Sequence, residues 1–266
     1  MNLQKLQLLF NTLKHLKLIQ VYYQILLRIK RRLPSIVKVT NLSNQVVFLK
    51  WEKQVITPLT YFEGNSFKFL NIEHVFESQI NWNFKKNKKL WLYNLNYFDF
   101  LNQENISKES GLNLIYKFIE SDSKIKDGLE PYPTSLRIIN WIKFISKHRI
   151  KDKIIDKILA NHVSLLNKNL EYHLLGNHLL ENAFALLFGA YYFGDETIYR
   201  TSKKLLESEL NEQILYDGGH FELSPMYHQL LLTRLLDCIN LVDNNRWKED
   251  SLLKMMKERL GECSAG

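Results

Sequence analysis

Apolar residues recur along this chain with different spacings, and each spacing predicts a different kind of element. At the N-terminus Leu3, Leu6, Phe10, Leu13, Leu16, Ile19, Tyr22, Leu26, Ile29 and Leu33 follow one another at three- or four-residue steps. That step forms one apolar stripe on an α-helix, and Pro34 ends it. Further on, Ile36-Val37-Lys38-Val39-Thr40, Gln45 to Trp51 and Gln54-Val55-Ile56 are β-branched and alternating, which predicts two or three short strands. The segment from Phe62 to Lys89 is mixed and polar, closes on the charge run 85–89, and reads as a loop with short turns wrapped on the body.

From Trp91 onward the helical step returns and persists. Leu112, Ile115, Phe118 and Ile119 share a face, as do Leu136, Ile139, Ile142 and Ile145. Then come Ile154, Ile158, Val163 and Leu166, followed by Leu179, Ala183, Leu186, Leu187 and Ala190. Ile198, Leu205, Leu206, Leu210 and Ile214 make another stripe, and Leu230, Leu231, Leu235 and Ile239 the last. Short connections, such as Gly194-Asp195-Glu196 and Asp217-Gly218-Gly219, make consecutive helices antiparallel neighbours. The expected fold is mainly α: a leader over 1–35, an extended, strand-containing segment over 36–90, and helical hairpins over 91–266.

Charge changes the picture at one end only. The net charge is +8, yet nine Lys or Arg and no Asp or Glu lie between Met1 and Lys50. The remainder is therefore close to neutral, and the basic character belongs to the leader. A basic amphipathic helix either lies on an anionic membrane surface, here through residues 1–33, or packs on the body of the protein. Gln4, Gln7, Asn11 and Lys14 interrupt any signal-peptide core and no cleavage site follows, which points to a cytoplasmic or membrane-peripheral location, with the periplasm as the alternative. Two cysteines exclude a disulfide framework, and Cys238 reads as a small buried hydrophobe. No residue spacing calls for a metal or cofactor, and no nucleic-acid motif is present.

Candidate chemistry gathers in two segments. Leu174 to Ala183 contains Asn177, His178 and Glu181, and Asp217 to His228 contains His220, Tyr227 and His228. An amide, imidazoles, a carboxyl and a phenol suit removal of a proton beside a carboxylate. Asn177 can donate to carboxylate oxygens, and Glu181 lies three residues from His178, so those two can meet on one turn. The same residues also read as helix-start chemistry, with Asn177 as cap and His178 as a buried hydrogen-bonding group. Tyr227, with an ordinary pKa of ~10, needs a donor or cation such as His228, His220 or Arg137 to work as a base. Otherwise it is a core tyrosine after a Ser224-Pro225 helix start. Arg137, after Thr134-Ser135, either grips a sulfate or carboxylate or holds Glu130 or Asp99. Trp91, Tyr93, Tyr97 and Trp141 offer sugar-stacking faces or core packing.

Four blocks resemble one family in order. Trp91-Leu92-Tyr93-Asn94-Leu95-Asn96-Tyr97-Phe98-Asp99, the stretch Glu130 to Trp141, Leu174 to Ala183 and Asp217 to His228 are similar to motifs of the heparinase II/III-like polysaccharide lyases. Together they extend the resemblance over roughly residues 67–243. It implies an incomplete α/α toroid and β-elimination on a uronic-acid-containing, acidic polysaccharide. By resemblance Asn177 neutralises the carboxylate and Tyr227 transfers protons, with His178 and Glu181 as further catalytic candidates beside Asn177. Arg137, Trp91, Tyr97, Trp141 and His228 then bind substrate. Family members continue into a C-terminal β-sandwich carrying a further catalytic histidine, whereas this sequence stops at Gly266. The competing expectation is a non-catalytic protein of glycan binding or surface-polysaccharide assembly on the cytoplasmic membrane.

Overall fold

The computed structural model describes residues 16–30, 46–52, 55–121, 124–248 and 251–265, together with residues 7, 11 and 14. Among them, helix α1 runs over Leu18–Lys30, and three strands follow: β1 Tyr61–Phe62, β2 Ser66–Phe69 and β3 Ile72–Val75. Then come α2 Lys88–Tyr97, a 3-10 turn Asp99–Asn102, α3 Lys108–Ser121, α4 Pro131–His148 and α5 Lys153–Lys168. The chain continues through α6 Gly176–Phe193, α7 Glu196–Gln213, α8 Pro225–Asn244 and α9 Ser251–Ala265.

Helix α6 is the hub. Its residues from Leu179 to Phe193 are all buried, as expected of a helix apolar on every side. Helices α4, α5, α7 and α8 all pack on it. Gly194, at φ 63°, caps α6, and the Asp195 carboxylate accepts the Ile198 N–H at 2.8 Å to start α7. A two-residue connection between two extensively packed helices makes α6 and α7 an antiparallel hairpin. Helix α2 packs on α4, and α9 covers α7 and α8. One apolar core runs from Leu49 through the strands to Cys263, and Cys238 is wholly buried within it. No helix among the described residues is long and apolar enough to cross a membrane.

The strands lie where a loop was expected. Of the expected strand residues, 36–40, 45 and 54 fall outside the described residues, while residues 46–52 join no sheet. Their polar groups bond to helices: Val47 N–H donates to Tyr192 O, Leu49 N–H to Ser146 Oγ, and Lys50 N–H to Asn245 Oδ1. Trp51 stacks on Phe188 at 5.6 Å. This segment is a strap whose hydrogen-bonding needs are met by helices. The three-stranded antiparallel sheet β1-β2-β3 forms instead over residues 61–75. Phe69 pairs with Ile72 across Leu70 and Asn71, both at positive φ, the geometry of a two-residue hairpin turn. Phe67 and Phe69 face the core while Lys68 faces out.

Candidate active site

The start of α6 is strained. Leu175, the residue before the helix, has φ 61° and ψ −158°, a region that nearly every residue except glycine avoids at a cost of roughly 1–3 kcal/mol. Gly176 follows at φ 54°. No side chain caps this helix. Asn177 therefore is not the cap; it sits inside the first turn, half-buried, and its amide makes no hydrogen bond to any described residue.

The second segment folds back onto this point. After α7, Leu215 N–H donates to Gly219 O and Phe221 N–H to Gln213 O, closing a tight loop. Gly218, at φ 82°, is obligatory, because a Cβ there would lie 2.0 Å from the Glu262 carbonyl oxygen of α9. The loop then meets α6: a methyl group on Gly176 would stand 3.7 Å from both Phe221 Cζ and Glu222 Oε1. Pro225 starts α8, which carries Tyr227 and His228, both half-buried. The Tyr227 hydroxyl makes no hydrogen bond to a described residue.

Next to Tyr227 lies His220, buried, with ring centroids 6.0 Å apart. Its Nδ1 accepts the Glu222 N–H at 3.3 Å, which puts the proton of the neutral ring on Nε2. Burial first, and the neighbouring His228 second, lower its pKa and keep that ring neutral. Nε2 is buried without a protein partner among the described residues. The arrangement is an unspent N–H donor beside a phenol.

His178 is held by a chain of hydrogen bonds. Its Nδ1 is 3.2 Å from Glu171 Oε1, and its ring lies 4.8 Å from that of Tyr132. Glu171 Oε2 accepts from Asn182 Nδ2 at 3.0 Å, and Glu171 N–H donates to Asn182 Oδ1 at 2.9 Å. Asn182 Nδ2 also donates to Ser135 Oγ at 3.1 Å. The His178 side chain stays 44% exposed, so it is oriented and still accessible. Glu171 and Asn182 were not singled out by sequence reasoning, although Asn182 closes the Asn177 block and Glu171 is the nearest acid before it.

Glu181 bonds to Arg234 where the one-turn spacing suggests His178, whose Nδ1 faces Glu171. Glu181 Oε1 accepts from Arg234 Nε at 2.6 Å, in a buried pair that sequence reasoning missed. Arg234 also lies 3.9 Å from Asp237, whose carboxylate takes Lys143 Nζ at 2.7 Å. Burial raises the Glu181 pKa against the opposing pull of Arg234. The carboxylate is committed to the floor beneath the site. Burial first, then the charge of Glu181, raise the Tyr132 pKa, and Tyr227 also contributes.

The subsite expectation for Arg137, Trp91 and Trp141 is also corrected, since all three are fully buried. Arg137 NH1 donates to the Asn96 and Gly128 carbonyls at 3.1 and 2.9 Å, NH2 donates to Thr134 Oγ1, and the guanidinium faces the Phe118 ring. It holds neither Glu130 nor Asp99. Glu130 accepts from the Tyr93 hydroxyl at 2.7 Å and pairs with Lys89 at 3.3 Å, and Asp99 accepts from Asn140 at 2.6 Å. Thr134 and Ser135 lie inside α4, which starts at Pro131, so they are not its cap. Trp91 donates to Ile72 O, and Trp141 packs edge-on against Phe98 and Phe118. Tyr97 is buried, close to Tyr132, and burial raises its pKa.

What remains open is a cavity of about 800 Å³ between α1, α2, α4, α5 and the start of α6. Tyr132, His178, Glu171, Glu130, Tyr93, Lys89 and His173 supply its polar wall. Burial pushes the Tyr93 phenol up to about 12, so it remains a donor. Asn177 and Tyr227 do not line this cavity. No group of three or more His, Cys, Asp or Glu among the described residues is placed to hold a metal.

A family model described as Heparinase II/III N-terminus matches residues 134–257. That is just under half of the chain, from the first turn of α4 into α9, and it includes Asn177, His178, Tyr227 and His228 but not the Trp91 block. A heparin-sulfate lyase of Bacteroides stercoris is 34% identical over 76 residues, 27% of this chain and 11% of that protein. The chain thus spans about a tenth of the length of that curated relative. No solved structure matches.

Proposed function

We propose that this chain is a polysaccharide-lyase-like helical domain, built as an incomplete α/α toroid, that acts on a uronic-acid-containing glycan by β-elimination. The observation that carries the reading is the meeting of the α6 start with the loop leading to α8. Tyr132 has His178 at 4.8 Å and feels the charge of Tyr227, and the Asn177 amide and the Tyr227 hydroxyl make no hydrogen bond among the described residues, which supports the reading. The partial similarity to the heparinase II/III N-terminus supports the same assignment.

The chemistry needs three operations. The C5 proton is hard to remove because the resulting carbanion adjoins an anionic carboxylate. In this reading Asn177 donates to that carboxylate as charge develops, with the exposed His178, fixed by Glu171, as a second donor. Tyr227 receives or delivers the proton, and His220 Nε2–H steadies its phenolate. The C5–H electrons form the C4–C5 double bond, the C4–O bond breaks, and the leaving oxygen takes a proton. Glu181 and Arg234 form the rigid floor.

Mass spectrometry of products from a panel of uronate-containing polysaccharides tests this proposal. Elimination yields an unsaturated fragment whose mass, added to that of its partner, equals the substrate. Products carrying an extra water would mark hydrolysis and refute the reading, as would the absence of cleavage alongside unaltered binding.

A further inference from the structure

We propose that α1 docks the protein on an anionic membrane surface through the outward stripe Leu18, Tyr22, Ile25 and Ile29. The inference is independent of the lyase reading. Helix α1 is apolar on two sides, and among the described residues only one side is packed on the body. On the inner side Gln20 Nε2 donates to Leu174 O at 3.0 Å, Tyr23 stacks on Tyr172 at 4.6 Å, and Leu27 forms part of the cavity wall. Lys17 pairs with Glu212 of α7. These contacts fix which way the helix faces.

On the outer side Leu18, Tyr22, Ile25 and Ile29 are 88%, 59%, 51% and 51% exposed. They succeed one another at steps of four, three and four, so they form a line along one face. A surface helix normally directs such a line inward; here the inward place is already taken. The two expectations for the leader, packing on the body and binding a membrane, thus concern opposite faces of one helix.

Charge identifies the occupant. The first fifty residues hold nine Lys or Arg and no acid, and Lys30-Arg31-Arg32 directly follow the stripe in sequence. A second copy of the chain would bring two such basic segments together and be repelled, whereas an anionic lipid surface attracts them. Leucine and isoleucine can enter the acyl boundary, tyrosine suits the headgroup level, and basic residues remain at the phosphates. The helix lies on the surface, since thirteen residues cannot span a bilayer.

Vesicle flotation of the full chain tests this, using phosphatidylcholine vesicles with and without phosphatidylglycerol. The unaltered protein is expected to float with the anionic vesicles, at least about tenfold more than with neutral ones, and to be released as salt shortens the reach of charge. Replacing Leu18, Tyr22, Ile25 and Ile29 together by Ser is expected to abolish flotation and to leave the circular dichroism and Tm of the body in place. Should that variant fail to fold, Leu18→Asp, at the most exposed position, serves in its stead. Flotation of the stripe variants equal to that of the unaltered protein overturns the proposal, and so does failure of the unaltered protein to float with either vesicle. A dimer in light scattering that the stripe variants dissolve, without vesicle binding, would assign the face to a second copy and likewise overturn it.

Discussion

Two helix starts, those of α5 and α6, do the same job in opposite ways. At α5 the Asp152 carboxylate accepts the Ile154 and Ile155 N–H groups at 2.9 and 3.2 Å and also takes the Tyr116 hydroxyl. At α6 no side chain caps the helix, Leu175 is held at positive φ, and the Asn177 amide makes no hydrogen bond among the described residues. The contrast extends outward. Arg137 and Lys143, in α4, have their charges met by carbonyls or a carboxylate, while the Tyr227 hydroxyl and His220 Nε2 are unpartnered among the described residues. Polar groups satisfied by their neighbours serve the fold. Those left unsatisfied in a strained setting are available to a ligand.

The largest effect expected on the satisfied side is that of Arg137→Leu. Two buried carbonyls lose their donors and the guanidinium leaves a void, so stability should fall by about 4 kcal/mol in urea denaturation. A fully folded variant with a selective loss of glycan binding would break the comparison, because it would return Arg137 to the site.

Lys143→Met should cost about 3 kcal/mol by leaving Asp237 buried with only the more distant Arg234, at 3.9 Å. Adding Asp237→Leu should restore much of that loss, since an apolar pair removes both desolvation penalties. If the double variant is no more stable than the single one, the network with Arg234 and Glu181 is cooperative and the floor is coupled to the site.

A smaller effect is expected at Asp152. Desolvation pushes its carboxyl up, but the Tyr116 hydroxyl and the two N–H groups outweigh that and hold it below its ordinary value. Its folded pKa is depressed, so its contribution is present above the unfolded value of ~3.9 and is lost as pH falls through the folded one. Asp152→Ala should lower stability by about 1 kcal/mol at neutral pH and narrow its gap to the unaltered protein in strong acid. Melting curves across that range show whether the gap narrows.

The helical body was legible because its stripes recur at the step that buries one face, as Leu179, Ala183, Leu186 and Leu187 do. Residues 61–75 were not, because one hairpin turns on Leu70-Asn71 and lacks the glycine that usually marks such a turn. Residues 46–52 looked like a strand, but Ser146, Tyr192 and Asn245 meet their hydrogen bonds, and those partners lie about a hundred residues or more away in sequence. In the site, the choice of the Asn177 and Tyr227 segments as candidates for one reaction rested on family resemblance and not on spacing. Whether a polar side chain is spent or unspent is decided by distant partners. That is why Glu181 and Arg137 looked like chemistry, and why Glu171, Asn182 and Arg234 went unnoticed.

The central claim is that the α6 start and the α8 start carry chemistry without carrying the fold. Its most direct measurement compares Tm with the rate of unsaturated-uronate formation, followed by ultraviolet absorbance, for Asn177→Ala and Tyr227→Phe. Both variants should keep Tm within a few degrees, since neither removes a hydrogen bond made among the described residues. Tyr227→Phe should lose all detectable turnover, and Asn177→Ala should fall by about a hundredfold or more, as expected when a donor to developing charge is removed. Unchanged turnover in either variant, or a fall in turnover that merely follows a fall in Tm, would contradict the account.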